Sequence, residues 1–173
     1  MRAMILLFAV ACSGRAEHAP TGIAHAPTGP SIYDLQIAGL DVDRGHPTLI
    51  SMFYGSCPAA CPALITTIGR TLDQLPGRDV RVLLVSFDPA RDTPDRLAVI
   101  AAERHLDARW TLTSEREPDA RALAAVLGIR YRAVADGQFV HTSAIVALDR
   151  DGRPLARMDG LGDPSALVAA LAD

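Results

Sequence analysis

The sequence of 173 residues contains no lysine, since all 17 of its basic residues are arginine. No side chain can therefore form a lysine Schiff base, act as the lysine of a phosphate-binding loop, or serve as a lysine general base. Acidic residues number 20, and the formal net charge is −3. Because a basic surface is needed to neutralise phosphates, this balance argues against a nucleic-acid partner.

Cysteine is also scarce, with Cys12, Cys57 and Cys61 as the three in the whole chain. That number excludes a scaffold held together by several disulfides. With 49% hydrophobic and 21% charged residues, a chain of this length can bury a sufficient core without them. The composition is typical of one soluble globular domain, which we expect to be a monomer.

No apolar run in the chain has the roughly 20 residues that a transmembrane helix needs. The first 11 residues instead combine a positive start, a short apolar run and small residues, which predicts a signal peptide over residues 1–11. Two cleavage sites compete. Ala9-Val10-Ala11 fits a general signal peptidase, whereas the same residues followed by Cys12 resemble a bacterial lipobox with leucine replaced by Ala9. We favour the second interpretation, in which Cys12 is lipidated and anchors the protein at a membrane surface.

Residues 12–30 are rich in Ala, Gly, Pro, Ser and Thr and show no hydrophobic periodicity, which predicts a flexible tether. Residues 31–173 then form the folded domain. Export, by either cleavage route, places this domain outside the cytosol, on the periplasmic side. A disulfide can persist there.

Strand and helix patterns alternate along the folded part. The predicted strands cover residues 33–40, 48–54, 80–87, 110–113, 140–148 and 154–158. The predicted helices cover residues 62–75, 93–105, 118–127 and 163–171. This order predicts an α/β fold, with a mixed central sheet and flanking helices.

The segment from Cys57 to Pro62, Cys-Pro-Ala-Ala-Cys-Pro, joins a buried strand to a helix. Residues four apart on a helix share a face, with Cα atoms roughly 6 Å apart, which is within the range for a disulfide. Pro62 disfavours helical backbone at Cys61, so the pair occupies either a loop or a distorted first turn. In both cases the nearby helix N-terminus is expected to favour thiolates, which can form a disulfide or bind a soft metal ion.

A soft ion held by two thiolates usually takes a third ligand, and His141 is the best candidate because it opens the predicted strand 140–148. Two thiolates and one imidazole suit Cu(I) and tolerate Cu(II), whereas zinc would require a fourth ligand. Two plainer interpretations stay open. Cys57 and Cys61 could form an inert structural disulfide, and His141 could be an ordinary surface or core histidine. Asp88, in the loop after the second buried strand, either tunes the thiols or belongs to a simple helix entry.

Three segments together resemble one known family. The segment from Phe53 to Pro62 is similar to the metal motif of the Sco/SenC copper-binding proteins. The segment from Ser86 to Thr93 is similar to the second motif of that family, and Val-His-Thr-Ser at 140–143 to its third. The motifs occur in the family's order, and the resemblance covers about residues 32–171.

The resemblance implies a thioredoxin-like fold with copper bound by Cys57, Cys61 and His141. It also implies a role in maturing the binuclear copper centre of cytochrome c oxidase subunit II, as a copper donor, as a thiol reductant, or as both. Most members carry a transmembrane helix, so a lipid anchor at Cys12 would be a variation. Ala59 stands where many members have aspartate, which puts any function of that carboxylate in doubt.

The leading hypothesis is therefore a copper chaperone for subunit II or for another cuproenzyme. The alternative is an extracytoplasmic thiol-disulfide oxidoreductase in which Cys57 attacks a partner disulfide and Cys61 resolves the mixed disulfide. A peroxidase of the peroxiredoxin type is disfavoured, since no suitable threonine precedes Cys57.

Overall fold

The computed structural model describes residues 29–57 and 60–172. The signal peptide predicted at 1–11 lies outside the described residues, as does the predicted tether up to residue 28. Among the described residues, no helix is both long enough and apolar enough to cross a membrane.

Seven strands and four α-helices make up the described domain. The strands are β1 (Thr48–Phe53), β2 (Arg81–Ser86), β3 (Trp110–Ser114), β4 (Tyr131–Ala133), β5 (Phe139–His141), β6 (Ala144–Leu148) and β7 (Pro154–Asp159). The helices are α1 (Ala60–Asp73), α2 (Pro94–Glu103), α3 (Glu117–Val126) and α4 (Ser165–Ala172).

The central sheet has the strand order β3-β2-β1-β6-β7. Strands β1, β2 and β3 run parallel, and β6 and β7 are antiparallel to their neighbours. All six residues of β1 are buried, as its continuous apolar run predicts for a strand covered on both faces. Its side chains alternate between two cores: Ile50 and Met52 pack with α3, and Leu49 and Phe53 pack with α1 and α4. The predicted mixed sheet with flanking helices is confirmed.

The strand predicted at residues 33–40 is wrong. Two short 3-10 helices, Ile32–Leu35 and Ala38–Asp43, occupy this part of the chain. Ser31 caps the first of them, because its hydroxyl accepts the amide hydrogen of Tyr33 while its own amide donates to the carboxylate of Asp34. The adjacent residues Ile32 and Tyr33 are both buried, which the alternation of a half-exposed strand would not permit.

The single strand predicted at residues 140–148 is divided between β5 and β6. Strand β5 leaves the central sheet and pairs with β4, which the sequence analysis missed, to form a separate hairpin. Thr142 fixes the base of this hairpin: its amide donates to the carbonyl of Arg130, and its hydroxyl accepts from the Arg130 amide. His141 therefore ends a hairpin strand and does not open a core strand.

The ends of β1 and β2 position the candidate site. Because parallel strands place their carboxyl ends at the same edge of a sheet, the loops that follow β1 and β2 meet there. The first loop carries Cys57, and the second runs from Phe87 to Thr93. Helix α1 begins at Ala60, two residues before the predicted start, so Cys61 lies in its first turn.

Candidate thiol and metal site

One backbone carbonyl gathers the two cysteines. The carbonyl oxygen of Tyr54 accepts the amide hydrogen of Cys57 at 3.1 Å and the thiol hydrogen of Cys61 at 3.0 Å. Cys57 is half-buried, whereas Cys61, in the first turn of α1, is buried. No disulfide joins the two cysteines among the described residues, and their side chains hydrogen-bond to each other. The structure therefore brings this part of the predicted site together.

The electrostatic environment of Cys61 differs from the sequence expectation. Burial, and after it the neighbouring Cys57, raise the pKa of the Cys61 thiol to about 12. The partial charge of the helix N-terminus was expected to favour the thiolate, but loss of hydration opposes ionisation more strongly at this position. Cys61 is therefore a protonated thiol at neutral pH, and the more exposed Cys57 is the accessible sulfur.

A buried carboxylate holds the thiol loop in place. Asp92, which is 1% exposed, accepts the amide hydrogen of Gly55 at 2.8 Å and the hydroxyl hydrogen of Ser86. The contact is so close that a Cβ atom on Gly55 would lie 2.5 Å from Oδ1 of Asp92. The loop after β1 is thus attached to the loop after β2 through a residue that the sequence analysis did not select.

Asp88, which from the sequence could tune the thiols, has a different partner. Its carboxylate forms an ion pair with Arg91. Both Asp88 and Asp92 follow the same buried strand. Their positions in the sequence therefore did not indicate that Asp92, and not Asp88, bonds to the thiol loop.

His141 lies against aromatic rings at the other side of Tyr54. Its imidazole meets the Tyr54 ring edge-on, with centroids 5.7 Å apart, and the Phe87 ring at 5.4 Å. Its Nδ1 atom is 3.3 Å from the carbonyl oxygen of Thr142. The hydroxyl of Tyr54 contacts the Cys57 thiol and bonds to the side-chain oxygen of Gln138 at 3.1 Å. Tyr54 thus connects the thiol loop with the hairpin that carries His141.

These contacts join Cys57 and Cys61 directly, and they connect His141 to the pair through Tyr54. Within residues 29–57 and 60–172, no three His, Cys, Asp or Glu side chains are arranged so that they could hold a metal ion together. The sulfurs and the imidazole also line separate clefts. The thiols share a cleft of about 40 Å³ with Arg96 and Arg104, and His141 lines a shallow one of about 260 Å³ between Arg130 and Arg132.

Comparisons with known proteins agree on one family. The SCO1/SenC family model matches residues 41–173. A SCO1 protein homolog from Bacillus subtilis is 26% identical over 164 residues, which is 91% of this chain and 85% of the relative. The structure of ScoI from Bradyrhizobium japonicum with copper bound is 27% identical and aligns with a TM-score of 0.61 over 74% of this chain and 83% of that one.

A further structural neighbour is BsSco, which is described as having a disulfide switch and belonging to the Sco family of cytochrome c oxidase assembly proteins. It aligns with a TM-score of 0.65 over 76% of this chain and 81% of that one, at 21% identity. At this identity the likeness shows the fold alone, and the predicted thioredoxin-like fold is confirmed.

Proposed function

The chain belongs to the SCO1/SenC family, and on this premise we propose that it is a copper chaperone that assists assembly of the copper centre of cytochrome c oxidase subunit II. Cys57, Cys61 and His141 are the proposed copper ligands. The observation that carries the proposal is a pair of mutually hydrogen-bonded cysteines gathered at the Tyr54 carbonyl, which accepts from the Cys57 amide and the Cys61 thiol. Support comes also from the copper-bound ScoI of Bradyrhizobium japonicum and from the description of BsSco as a member of a family of oxidase assembly proteins.

The donor atoms fit copper as a cargo. Adjacent sulfurs are soft ligands that suit Cu(I), and an added imidazole makes the set tolerant of Cu(II). The ion displaces the thiol protons when it binds. His141 joins the set from the β4–β5 hairpin, which is linked to the thiol loop through Tyr54. Release to a client then proceeds by ligand exchange, in which an incoming cysteine or histidine replaces one ligand at a time.

Copper titration of single variants tests the ligand set. Anaerobic titration of the reduced protein should give one Cu(I) per chain, and Cys57→Ser or Cys61→Ser should abolish that stoichiometric binding. His141→Ala should weaken Cu(II) binding strongly. His46→Ala is the matched control, because His46 is half-exposed and paired with Asp79 away from the thiols. Unchanged Cu(II) binding by His141→Ala would remove this residue from the site.

A thiol-disulfide reductase is the second candidate, and the unequal burial of the two thiols favours it. The Cys57 thiolate attacks a client disulfide, whose S–S bond breaks as one client sulfur leaves as a thiolate. Cys61 then gives its proton to the client thiolate that was released, and its sulfur attacks the Cys57 sulfur of the mixed disulfide. The Cys57–Cys61 bond forms, and the second client sulfur leaves. The client gains two electrons, and this chain becomes the disulfide.

His141 distinguishes the two candidates. A stoichiometric reduction of a disulfide-bonded peptide by the metal-free protein should require Cys57 and Cys61 under the reductase hypothesis. If His141→Ala reduces the peptide as fast as the wild type and also binds copper normally, the reductase is the better account. If the variant reduces the peptide normally but binds Cu(II) poorly, both activities reside on one thiol pair.

The proposed location is the outer side of a membrane, with a lipid anchor on Cys12 after removal of residues 1–11. Support comes from the apolar run and the small residues before Cys12. Metabolic labelling with a radioactive fatty acid should mark the wild type in a bacterial host, and Cys12→Ala should carry no label. Equal labelling of both proteins would contradict the anchor.

A further inference from the structure

Arg91 connects the loop after β2 to the tip of the β4–β5 hairpin. Its Nε atom forms an ion pair with the carboxylate of Asp88, and its Nη2 atom donates to the carbonyl oxygen of Gly137. Its guanidinium carbon also lies 5.8 Å from the centroid of the Phe139 ring. One side chain thus contacts two residues of the hairpin while it is held by a residue at the edge of the central sheet.

The anchor of this connection is rigid. Asp88 is 6% exposed, and its amide donates to the hydroxyl of Ser86 at 3.0 Å. Its carbonyl accepts from the amides of Arg91 and Asp92 at 3.1 and 2.9 Å. A buried carboxylate that is held by its own backbone fixes the direction of the Nε–H group that it accepts. Because the guanidinium is planar, this also directs Nη2 towards Gly137.

The hairpin tip requires such an anchor. Strands β4 and β5 have three residues each, and an isolated two-stranded hairpin is marginally stable in water. The tip, Ala135–Gly137, is exposed, and Asp136 and Gly137 have φ angles of 64° and 68°. A Cβ atom on Gly137 would lie 2.5 Å from Nη1 of Arg91, so the absence of a side chain there permits the contact.

Aromatic and neutral contacts also attach the hairpin to the sheet. The ring of Tyr131 stacks on Phe87 with centroids 4.5 Å apart, and the Tyr54 hydroxyl bonds to Gln138. Arg91 adds a charged contact at the tip, to Gly137, which lies four residues before His141. It acts on His141 through the hairpin, which it contacts at Gly137 and Phe139.

We propose that Arg91 is a positioning residue that fixes the β4–β5 hairpin and thereby preorganises His141 for copper. The inference rests on the proposed function, because it takes His141 as a ligand. A fixed hairpin lowers the ordering cost of bringing the imidazole to the metal. Removing partners that orient a metal ligand typically weakens binding by about 10- to 100-fold. Cu(II), which depends more on the imidazole, should be affected more than Cu(I), which the two thiolates hold.

The first measurement needs no metal. Arg91→Ala should increase amide hydrogen exchange across residues 131–141 of the reduced protein and leave the central strands unchanged. Arg109→Ala is the matched control, since Arg109 is about as exposed as Arg91 and pairs with the exposed carboxylate of Asp107 in the loop before β3. Equal exchange of the hairpin in the wild type and Arg91→Ala would overturn the proposal.

The second measurement compares the two oxidation states of copper. Arg91→Ala should weaken Cu(II) binding at least 10-fold relative to Arg109→Ala, change the Cu(II) absorption and EPR spectra, and affect Cu(I) affinity much less. Arg91→Lys keeps the charge beside Asp88 but cannot form the same fork, so it should restore part of the affinity. A hairpin that loosens with no change in Cu(II) binding would overturn the positioning role.

Two further comparisons keep the outcomes separate. If Arg91→Ala does not fold, Arg91→Lys carries both measurements, with an intermediate loss expected and wild-type behaviour contradicting the proposal. If His141→Ala binds Cu(II) as the wild type does, the proposed ligand set fails and the positioning role falls with it. The hydrogen-exchange result then still decides whether Arg91 holds the hairpin.

Discussion

The carbonyl oxygen of Tyr54 accepts hydrogen bonds from the Cys57 amide and the Cys61 thiol, while its ring meets His141 edge-on. Burial, and next the Cys57 thiol, raise the pKa of the Tyr54 hydroxyl. The hydroxyl therefore keeps its proton at neutral pH and bonds to Gln138. A single residue at the end of β1 thus links the sulfurs, the imidazole and the hairpin, and its position is fixed by the buried strand that precedes it.

Asp92 is expected to be the most sensitive carboxylate near the thiols. Asp92→Ala leaves the half-buried Gly55 amide and the buried Ser86 hydroxyl without their acceptor. Because each buried unsatisfied donor costs roughly 1–3 kcal/mol, the free energy of unfolding should fall by about 3 kcal/mol. Urea unfolding measures the loss. Asp95→Ala, at an exposed site in the first turn of α2, is the control, and equal losses in both variants would contradict the role of Asp92.

Asp43 should make stability depend on pH. Burial raises the pKa of its carboxyl above the usual 3.8, and its Oδ2 atom has no hydrogen-bond partner among the described residues. The folded state therefore holds this proton more tightly than the unfolded state does. The contribution of Asp43 to the free energy of unfolding is therefore complete below pH 3.8, and it is lost as the pH rises through the raised pKa of the folded state.

Urea unfolding between pH 4 and pH 7 checks this sign. The free energy of unfolding of the wild type, minus that of Asp43→Asn, should decrease across this interval. Asp41→Asn, at the exposed partner of Arg44, removes a carboxylate that water already solvates. The same pH dependence in the wild type and Asp43→Asn would show that another group is responsible.

The sequence indicated the thiols but not the residues that organise them. Cys57 and Cys61 are close in the sequence, and their spacing alone predicts proximity. Tyr54 and Gln138 are 84 residues apart, and Arg91 and Gly137 are 46 apart. Contacts of this kind depend on how the hairpin folds back over the sheet, which local patterns do not encode. His141 as a ligand stays a prediction.

Helix α2 begins as its sequence predicts. Thr93 caps it, with Oγ1 accepting the Arg96 amide hydrogen at 3.3 Å, and Pro94 occupies the first helical position. Thr93→Ala should lower the free energy of unfolding by about 1 kcal/mol, and Thr93→Ser should retain most of the stability. Urea unfolding of the two variants checks the cap, and equal losses in both would mean that the hydroxyl contributes nothing.

Elements with strong local signals were the ones predicted correctly. Buried strands β1 and β2 have continuous apolar runs, and α2 and α3 have a proline in their first turn. The segment 33–40 gave a false strand, because its alternating pattern also fits 3-10 turns that bury adjacent residues. Strand β4, with three residues that are mostly exposed, has too few side chains for any periodicity to appear.

Charge is distributed unevenly over the molecule as a whole. The chain has an acidic excess, yet four exposed arginines beside the candidate ligands form no ion pair among the described residues. They are Arg96 and Arg104 in the cleft of the thiols, and Arg130 and Arg132 in the cleft of His141. Glu103 is the one acid that lines the thiol cleft. The local potential at the mouth of the thiol cleft should therefore be positive although the net charge is negative, whereas the buried Asp92 acts on Cys61 from inside.

The reactivity of Cys57 towards charged disulfides tests this potential. The rate with an anionic aromatic disulfide should fall as salt is added, and the rate with the cationic disulfide cystamine should rise, because salt screens attraction and repulsion alike. Replacing both Arg96 and Arg104 with alanine should remove most of the salt dependence. Arg70→Ala, which removes an exposed arginine that lines neither cleft, is the control for net charge. If both disulfides respond to salt in the same direction, the arginines do not steer reactants to the thiols, and a client that approaches Cys57 must be selected by shape and not by charge.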